Sequence, residues 1–256
     1  MTADLFNLTG RLALVTGSSR SIGAALAAGL ADAGADIVLN GRDPDRIERA
    51  RDELADRVAG TVYTACFDVT DPDAVREGIA RVEREIGPIS ILVNNTGVQH
   101  REPMLSVSVA DWQRVIDTNL TSAFLVGREV AAGMVRRGHG KIINVCSVQT
   151  WLARPGIAAY AAAKGGLAML TRTMCAEWAS DGLCVNGIAP GYVVTDLTRP
   201  LVDDPQFDAW IRGRTPAGRW AQVADLVGTA VWLAAPASDF VNGQVIAVDG
   251  GLTAVI

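Results

Sequence analysis

Residues 11–41 read RLALVTGSSRSIGAALAAGLADAGADIVLNG, and this stretch decides the fold. Its first run, Arg11–Thr16, is apolar and nearly continuous, as suits a strand covered on both faces. The glycine-rich turn TGSSRSIG, Thr16 to Gly23, follows. Alanine and leucine then recur at helical spacing over Ile22–Ala33, with Gly34 just past the end, where a helix favours glycine. Ala35–Asn40 is a second strand-like run. Such a turn bends the chain tightly and aims helix N-terminal amides at an anion, above all a pyrophosphate. Glycines also serve ordinary turns, but one between a strand and a helix, at the head of a βαβ series, favours the nucleotide.

The alternation continues outward from this unit. Further strand-like runs are Thr61–Phe67, Ile89–Asn94, Lys141–Ser147, Cys184–Ala189 and Gln244–Val248. Helical stretches lie between them at Pro44–Ala59, Ala74–Ile86, Ala110–Arg137, Ala158–Ser180 and Val223–Leu233. Asp43-Pro44 reads as a cap followed by proline at the first helical position, and Asp71-Pro72-Asp73 opens the next helix similarly. Strand and helix in alternation predict an α/β fold: a Rossmann-type, doubly wound sheet of about seven parallel strands with helices on both faces. No linker, repeat or second core interrupts it, so residues 1–256 read as a single domain. The segment Thr195–Arg219, with Pro200, Pro205, Pro216 and Trp210, breaks the alternation after the sixth strand. Ligands of open α/β sheets bind beyond the strand carboxyl ends, so this insertion is expected to lie over the site as a lid.

Composition narrows the class. The chain has 256 residues, 49% hydrophobic and 20% charged, with a formal net charge of −5, which excludes disorder and argues against a nucleic-acid partner. No apolar run approaches the ~20 residues that span a bilayer, and the N-terminus lacks a signal-peptide pattern. The expectation is a soluble cytoplasmic protein with no membrane partner. Cys66, Cys146, Cys175 and Cys184 form no CxxC pair and read as free, mostly buried thiols. His100 and His139 are isolated, so no catalytic metal is expected.

The turn and the rest of the chain resemble the short-chain dehydrogenase/reductase family. Gly17 and Gly23 match the family's TGxxxGxG turn, but Ser21 stands where its middle glycine is usual. A side chain there crowds a pyrophosphate, although a serine hydroxyl can also donate to a phosphate oxygen. The resemblance implies a cofactor site of Gly17, Ser19, Arg20, Ser21, Ile22, Gly23, Arg42, Asp68, Val69, Asn95, Tyr160, Lys164, Pro190, Gly191, Val193 and Thr195. Within it, Asp68-Val69 resembles the adenine-contacting pair and Asn94-Asn95-Thr96-Gly97 the NNAG segment. Pro190-Gly191 and Thr195 match PGxxxT, which packs on and bonds the nicotinamide. The second strand ends Asn40-Gly41-Arg42, with no carboxylate for ribose hydroxyls, while Arg42 and Arg20 offer two guanidinium groups to a ribose phosphate. NADP is therefore expected over NAD. The rival is that both arginines are solvated and Asp43 serves NAD, although Asp43 is better explained as a helix cap.

The catalytic signal is Ser147 with Tyr160 and Lys164. Tyr160 and Lys164 are spaced to share one helix face, and Ser147 ends a strand. Hydride transfer to a carbonyl needs a proton donor for the growing oxyanion. A tyrosine hydroxyl, with a pKa near ~10, is too weak an acid unless a neighbouring ammonium lowers it, and Lys164 is expected to do so. The resemblance assigns Ser147 to the substrate oxygen, Tyr160 to acid–base work, Lys164 also to the nicotinamide ribose, and Asn119 to a proton-relay water.

Blocks such as GVQHREP, INVCSVQ and LVDDPQFDAWIRGRTPAGRW resemble the gluconate 5-dehydrogenase (5-ketogluconate reductase) subgroup. This implies a sugar acid as substrate. Arg101 and Arg154 are candidate partners for its carboxylate, Gln149 for a hydroxyl, and Trp151 and Tyr192 for an apolar face, beside Ser147. The alternatives are 3-oxoacyl-carrier-protein reduction, another small hydroxy or keto substrate, and a non-catalytic NADP-sensing module. The family also implies a homotetramer, for which the small residues Ala161–Ala163 and Gly165-Gly166 permit close packing.

Overall fold

The computed structural model describes residues 4–256, so the first three residues of the expected domain lie outside the described residues. Its strands are β1 (Leu12–Val15), β2 (Asp36–Gly41), β3 (Val62–Cys66), β4 (Ile89–Asn94), β5 (Gly140–Val145), β6 (Leu183–Pro190) and β7 (Val245–Val248). They form one seven-stranded sheet in the order β3-β2-β1-β4-β5-β6-β7, every neighbouring pair parallel. The order reverses between β1 and β4, which opens a crevice at their carboxyl ends.

The helices are α1 (Ser21–Asp32), α2 (Pro44–Ala55), α3 (Pro72–Glu85), α4 (Val109–Ile116), α5 (Ser122–Arg137), α6 (Ala158–Trp178), α7 (Arg199–Val202), α8 (Pro205–Arg214) and α9 (Val227–Ala234). Strand residues alternate between two cores, as the two-residue period of a strand requires. On one face Val15, Ile37, Leu39, Val93 and Ile143 meet Leu26 and Leu30 of α1, Ile47 and Leu54 of α2, and Leu233 of α9. On the other, Leu14, Val38, Leu92 and Ile142 meet Ile79 and Val82 of α3, Val130 and Met134 of α5, and Met174 of α6.

Local chemistry sets the helix starts. Asp43 Oδ1 accepts from Arg46 N at 3.0 Å, and Asp71 Oδ1 from Asp73 N at 2.9 Å and Ala74 N at 3.1 Å. The helix expected over Ala110–Arg137 is instead two helices joined by a π turn at Asp117–Thr121. Asp117, Thr118, Asn119 and Thr121 are poor helix formers, which weakens a helix but does not by itself mark a wider turn. The Thr195–Arg219 segment contains α7 and α8. Asp204 caps α8 and Pro205 starts it.

Cys146 and Cys184 are buried, whereas Cys175 is half-buried and Cys66 exposed at the end of β3. Gly166 packs within its own chain, since a Cβ there would lie 2.8 Å from Leu120 Cδ2, whereas Gly165 has only the Thr150 carbonyl at 4.0 Å. Among the described residues, no helix is long and apolar enough to cross a membrane.

Candidate active site

The carboxyl ends of six strands border one cleft of about 1150 Å3. Every expected cofactor residue lines it: Gly17, Ser19, Arg20, Ser21, Ile22, Gly23, Arg42, Asp68, Val69, Asn95, Tyr160, Lys164, Pro190, Gly191, Val193 and Thr195. So do Asn119 and Ser147.

The glycine-rich turn is fastened from two sides. Asn95 Nδ2 donates to the Thr16 and Gly17 carbonyls, each at 3.0 Å. Ser18 N donates to Asn40 O at 3.1 Å, and Ser18 Oγ accepts from Asn40 N at 3.0 Å. Gly17 has φ +61°, and a Cβ on Gly23 would collide with the Gly17 carbonyl oxygen. The chain is thus drawn tight against itself and leaves open space above. Arg20, the cap residue of α1, supplies no side-chain hydrogen bond to the first-turn amides. Unclaimed amides at a helix N-terminus, on a turn with no room for a Cβ at Gly17 or Gly23, fit a phosphate.

Cations border the same cleft. Arg42 Nη1 lies 3.6 Å from Asp68 Oδ2, and Arg20 Nη1 lies 3.5 Å from Asp196 Oδ2. Both arginines are mostly exposed, so these contacts are weak and exchangeable. Asp68 is also fixed by Thr70, whose N and Oγ1 donate to it at 2.9 and 2.7 Å. Burial pushes its carboxyl up, but Thr70 and Arg42 outweigh that and hold it below 3.8. Asp43 is the cap of α2, as its sequence context indicates. Arg46, which the sequence reading did not single out, lines the cleft too. This donor set fits a phosphorylated dinucleotide.

The opposite wall carries Ser147, Tyr160 and Lys164. Tyr160 and Lys164 share a face of α6, with Lys164 Nζ 5.6 Å from the Tyr160 ring centre. Lys164 is buried and donates to the Val145 carbonyl at 2.6 Å. Burial pulls its pKa down to about 8. Tyr160 corrects an expectation. Burial pushes its hydroxyl above 10, while a hydrogen bond with Ser147 and the charge of Arg101 pull only partly back. Lys164, bonded to the Val145 carbonyl, does not supply the expected lowering, and the burial of Tyr160 prevails.

Asn119 occupies the π turn. Its Nδ2 donates to Val98 O at 2.9 Å and Val115 O at 2.8 Å, while its buried Oδ1 has no partner. A buried unpartnered acceptor on a cleft wall suits an ordered water.

Of the expected substrate residues, Ser147 lines the cleft, whereas Arg101, Gln149, Trp151, Arg154 and Tyr192 stand outside its lining. Arg101 is nonetheless near the reacting groups. Burial and Arg154 push its pKa down, and Tyr160 and Tyr192 push it up. Arg101 Nη2 donates to Leu197 O at 3.1 Å, and the Arg154 guanidinium sits 5.1 Å above the Phe207 ring. Both arginines therefore touch the inserted segment. Gln149 Oε1 is buried without a partner, and Trp151 is exposed. Tyr192 packs with Phe207, Trp210 and Trp220, at ring-centre distances of 5.6, 6.4 and 5.7 Å.

Sequence reading also missed a buried polar chain. Asn94 Nδ2 donates to Asn144 Oδ1 at 2.9 Å, and Asn144 Nδ2 to Thr171 Oγ1 at 2.9 Å, linking β4, β5 and α6. Asn40 Nδ2 similarly donates to Ala65 O at 2.9 Å. The signal was present, because asparagine is disfavoured in strands yet recurs near the ends of β2, β4 and β5.

Residues 17–253 match a family model described as enoyl-(acyl carrier protein) reductase. A gluconate 5-dehydrogenase of Gluconobacter oxydans is 53% identical over 98% of this chain and 97% of its own. A 2-dehydro-3-deoxy-D-gluconate 5-dehydrogenase of Formosa agariphila is 46% identical over 100% and 97%. The crystal structure of a gluconate 5-dehydrogenase from Burkholderia cenocepacia, in complex with NADP and tartrate, superimposes with a TM-score of 0.98, at 50% identity and full coverage of both chains. A parallel sheet whose strand ends border a cleft lined by the glycine-rich turn and by Ser147, Tyr160 and Lys164 is the architecture of a nucleotide-dependent α/β enzyme. The chain belongs to the short-chain dehydrogenase/reductase family of oxidoreductases.

Proposed function

We propose that the protein interconverts D-gluconate and 5-keto-D-gluconate with NADP as the hydride carrier. The observation that carries this reading is the end-to-end match to a gluconate 5-dehydrogenase at 53% identity. The structure bound to NADP and tartrate, a hydroxy acid, supports both the cofactor and an anionic substrate. The printed description of the family model names carrier-protein chemistry, but the full-length relatives are named for sugar acids.

The bound nicotinamide supplies or accepts the hydride. Tyr160 gives its hydroxyl proton to the carbonyl oxygen during reduction and takes it back during oxidation. Ser147 Oγ donates to the same oxygen and orients it. The Lys164 ammonium bonds the nicotinamide ribose and, once the cleft is filled, favours the phenolate. Asn119 Oδ1 accepts from a water that returns the proton from solvent. Arg20 and Arg42 exchange their aspartates for the ribose phosphate, which sets NADP over NAD. The turn residues, with Asp68, Val69 and Asn95, hold the adenine half; Pro190, Gly191, Val193 and Thr195 hold the nicotinamide half.

Arg101, whose charge acts on Tyr160, and its neighbour Arg154 form no ion pair with a described carboxylate, which leaves both cations open to an anion. They hold the sugar-acid carboxylate, Gln149 Oε1 accepts from a hydroxyl, and Trp151 and Tyr192 cover the C–H face. Residues 195–219 form the lid of a single domain spanning the chain. The exposed Phe124 and Met169 on α5 and α6 support pairing of subunits; a homotetramer and a cytoplasmic location belong to the same proposal. Replacing Arg101 or Arg154 with Met tests the substrate reading. KM for 5-keto-D-gluconate rises about tenfold or more while KM for a neutral ketone is unchanged. Equal effects on both ketones contradict it.

A further inference from the structure

One position of the phosphate turn has a glycine's backbone without a glycine's side chain. Ser21 has φ +52°, and among the described residues it is the single non-glycine with positive φ. That region is disfavoured for a residue with a Cβ. Glycine at this position would be relaxed, so the serine is held there against local preference. Such outliers persist where surrounding structure enforces them, and they gather at functional sites.

The hydroxyl has no task within the fold. Ser18 Oγ is engaged with Asn40 N at 3.0 Å, whereas Ser21 Oγ makes no hydrogen bond to the described residues. Ser21 is the first residue of α1, lines the cleft and is half-buried. Its hydroxyl is therefore unengaged at the start of the helix whose unclaimed amides fit a phosphate.

We infer that Ser21 is a cofactor-affinity residue whose hydroxyl donates to a phosphate oxygen of the dinucleotide pyrophosphate, the backbone strain being kept for that donation. This rests on the dinucleotide reading above. Folding and binding then pull in opposite directions. Ser21→Gly relieves the strain and deletes the donor. Ser21→Ala keeps the strain and deletes the donor.

Three readings on wild type, S21G and S21A decide it: thermal unfolding without cofactor, NADPH affinity by fluorescence, and affinity for adenosine 2′-monophosphate, which lacks the pyrophosphate. S21G is expected to unfold about 2–4 °C higher than wild type, and S21A no higher. Both variants are expected to bind NADPH about tenfold more weakly, as loss of a hydrogen bond to a charged group implies. Adenosine 2′-monophosphate should bind all three alike. NADPH affinity equal to or above wild type in either variant would overturn the inference and make Ser21 an obstruction. An equal loss for adenosine 2′-monophosphate would also overturn it, by showing a general distortion. Wild type that binds neither NADPH nor NADH would overturn the dinucleotide reading itself.

Discussion

The ammonium of Lys164 donates to the Val145 carbonyl at 2.6 Å and stands 5.6 Å from the centre of the Tyr160 ring. The lysine is thus anchored to the end of β5 beneath the reacting tyrosine, on the same side of the cleft. The arrangement fixes position first. Its electrostatic effect on Tyr160 depends on what else fills the cleft.

Burial holds Lys164 near 8, against 10.5 for an ordinary lysine. Between those values the unfolded chain binds more protons than the folded one, so stability rises with pH across that window. Below pH 8 both forms are charged and the full burial penalty applies. Tyr160 acts in the other sense, since its raised hydroxyl makes stability fall above pH 10. The urea-unfolding stability of wild type relative to Lys164→Met should be constant below pH 8. It should then gain about 3 kcal/mol in favour of wild type towards pH 10.5. A difference that stays flat across that range contradicts the burial account.

Tyr160→Phe removes one hydroxyl and leaves the ring. NADPH affinity and thermal stability should stay close to wild type. Turnover should fall by about 10²–10⁴, the usual contribution of a positioned acid or base. Turnover within a factor of about three of wild type would remove Tyr160 from the chemistry.

Arg42→Asp sets a second carboxylate beside Asp68 at the mouth of the cleft. Loss of a charged hydrogen bond weakens NADPH by about ten- to hundredfold, while NADH is spared or improved. Titrating both cofactors against both proteins reads this directly. An unchanged ratio of the two dissociation constants would mean that Arg42 is solvated and serves neither.

Trp220 Nε1 donates to Asp208 Oδ1 at 2.7 Å, and its ring meets Tyr192 edge-on at 5.7 Å. One indole therefore joins the inserted segment to the strand end that carries Tyr192. Trp220→Phe keeps an aromatic ring but loses the bond to Asp208 and the nitrogen-bearing ring of the indole. Limited proteolysis within residues 195–219 should accelerate, with KM for substrate raised and NADPH affinity kept. A cleavage pattern identical to wild type would show that the indole bond does not secure this segment.

Much of this is legible in the sequence. The strand periods and the Asp-Pro caps at 43–44 and 71–72 are local effects, and they predicted the sheet and two helix starts. The gathering of Gly17, Asn119, Ser147, Tyr160 and Lys164 around one cleft follows from where those elements end. What sequence did not carry is set by contacts across the fold. The π turn at Asn119 depends on bonds to Val98 and Val115 carbonyls that no local pattern announces. The sign of the Tyr160 shift depends on burial, with Cys146 and Tyr192, against Ser147 and Arg101, which spacing alone does not weigh. Ser21 was visible as a departure from the usual glycine, but its left-handed backbone was not.

The most direct test is the initial rate of NADPH oxidation with 5-keto-D-gluconate, run beside NADH and beside an acetoacetyl thioester. The account predicts fast, saturable oxidation of NADPH by the keto acid, with slower rates for NADH and for the thioester. No oxidation with the keto acid by protein that binds NADPH would contradict it.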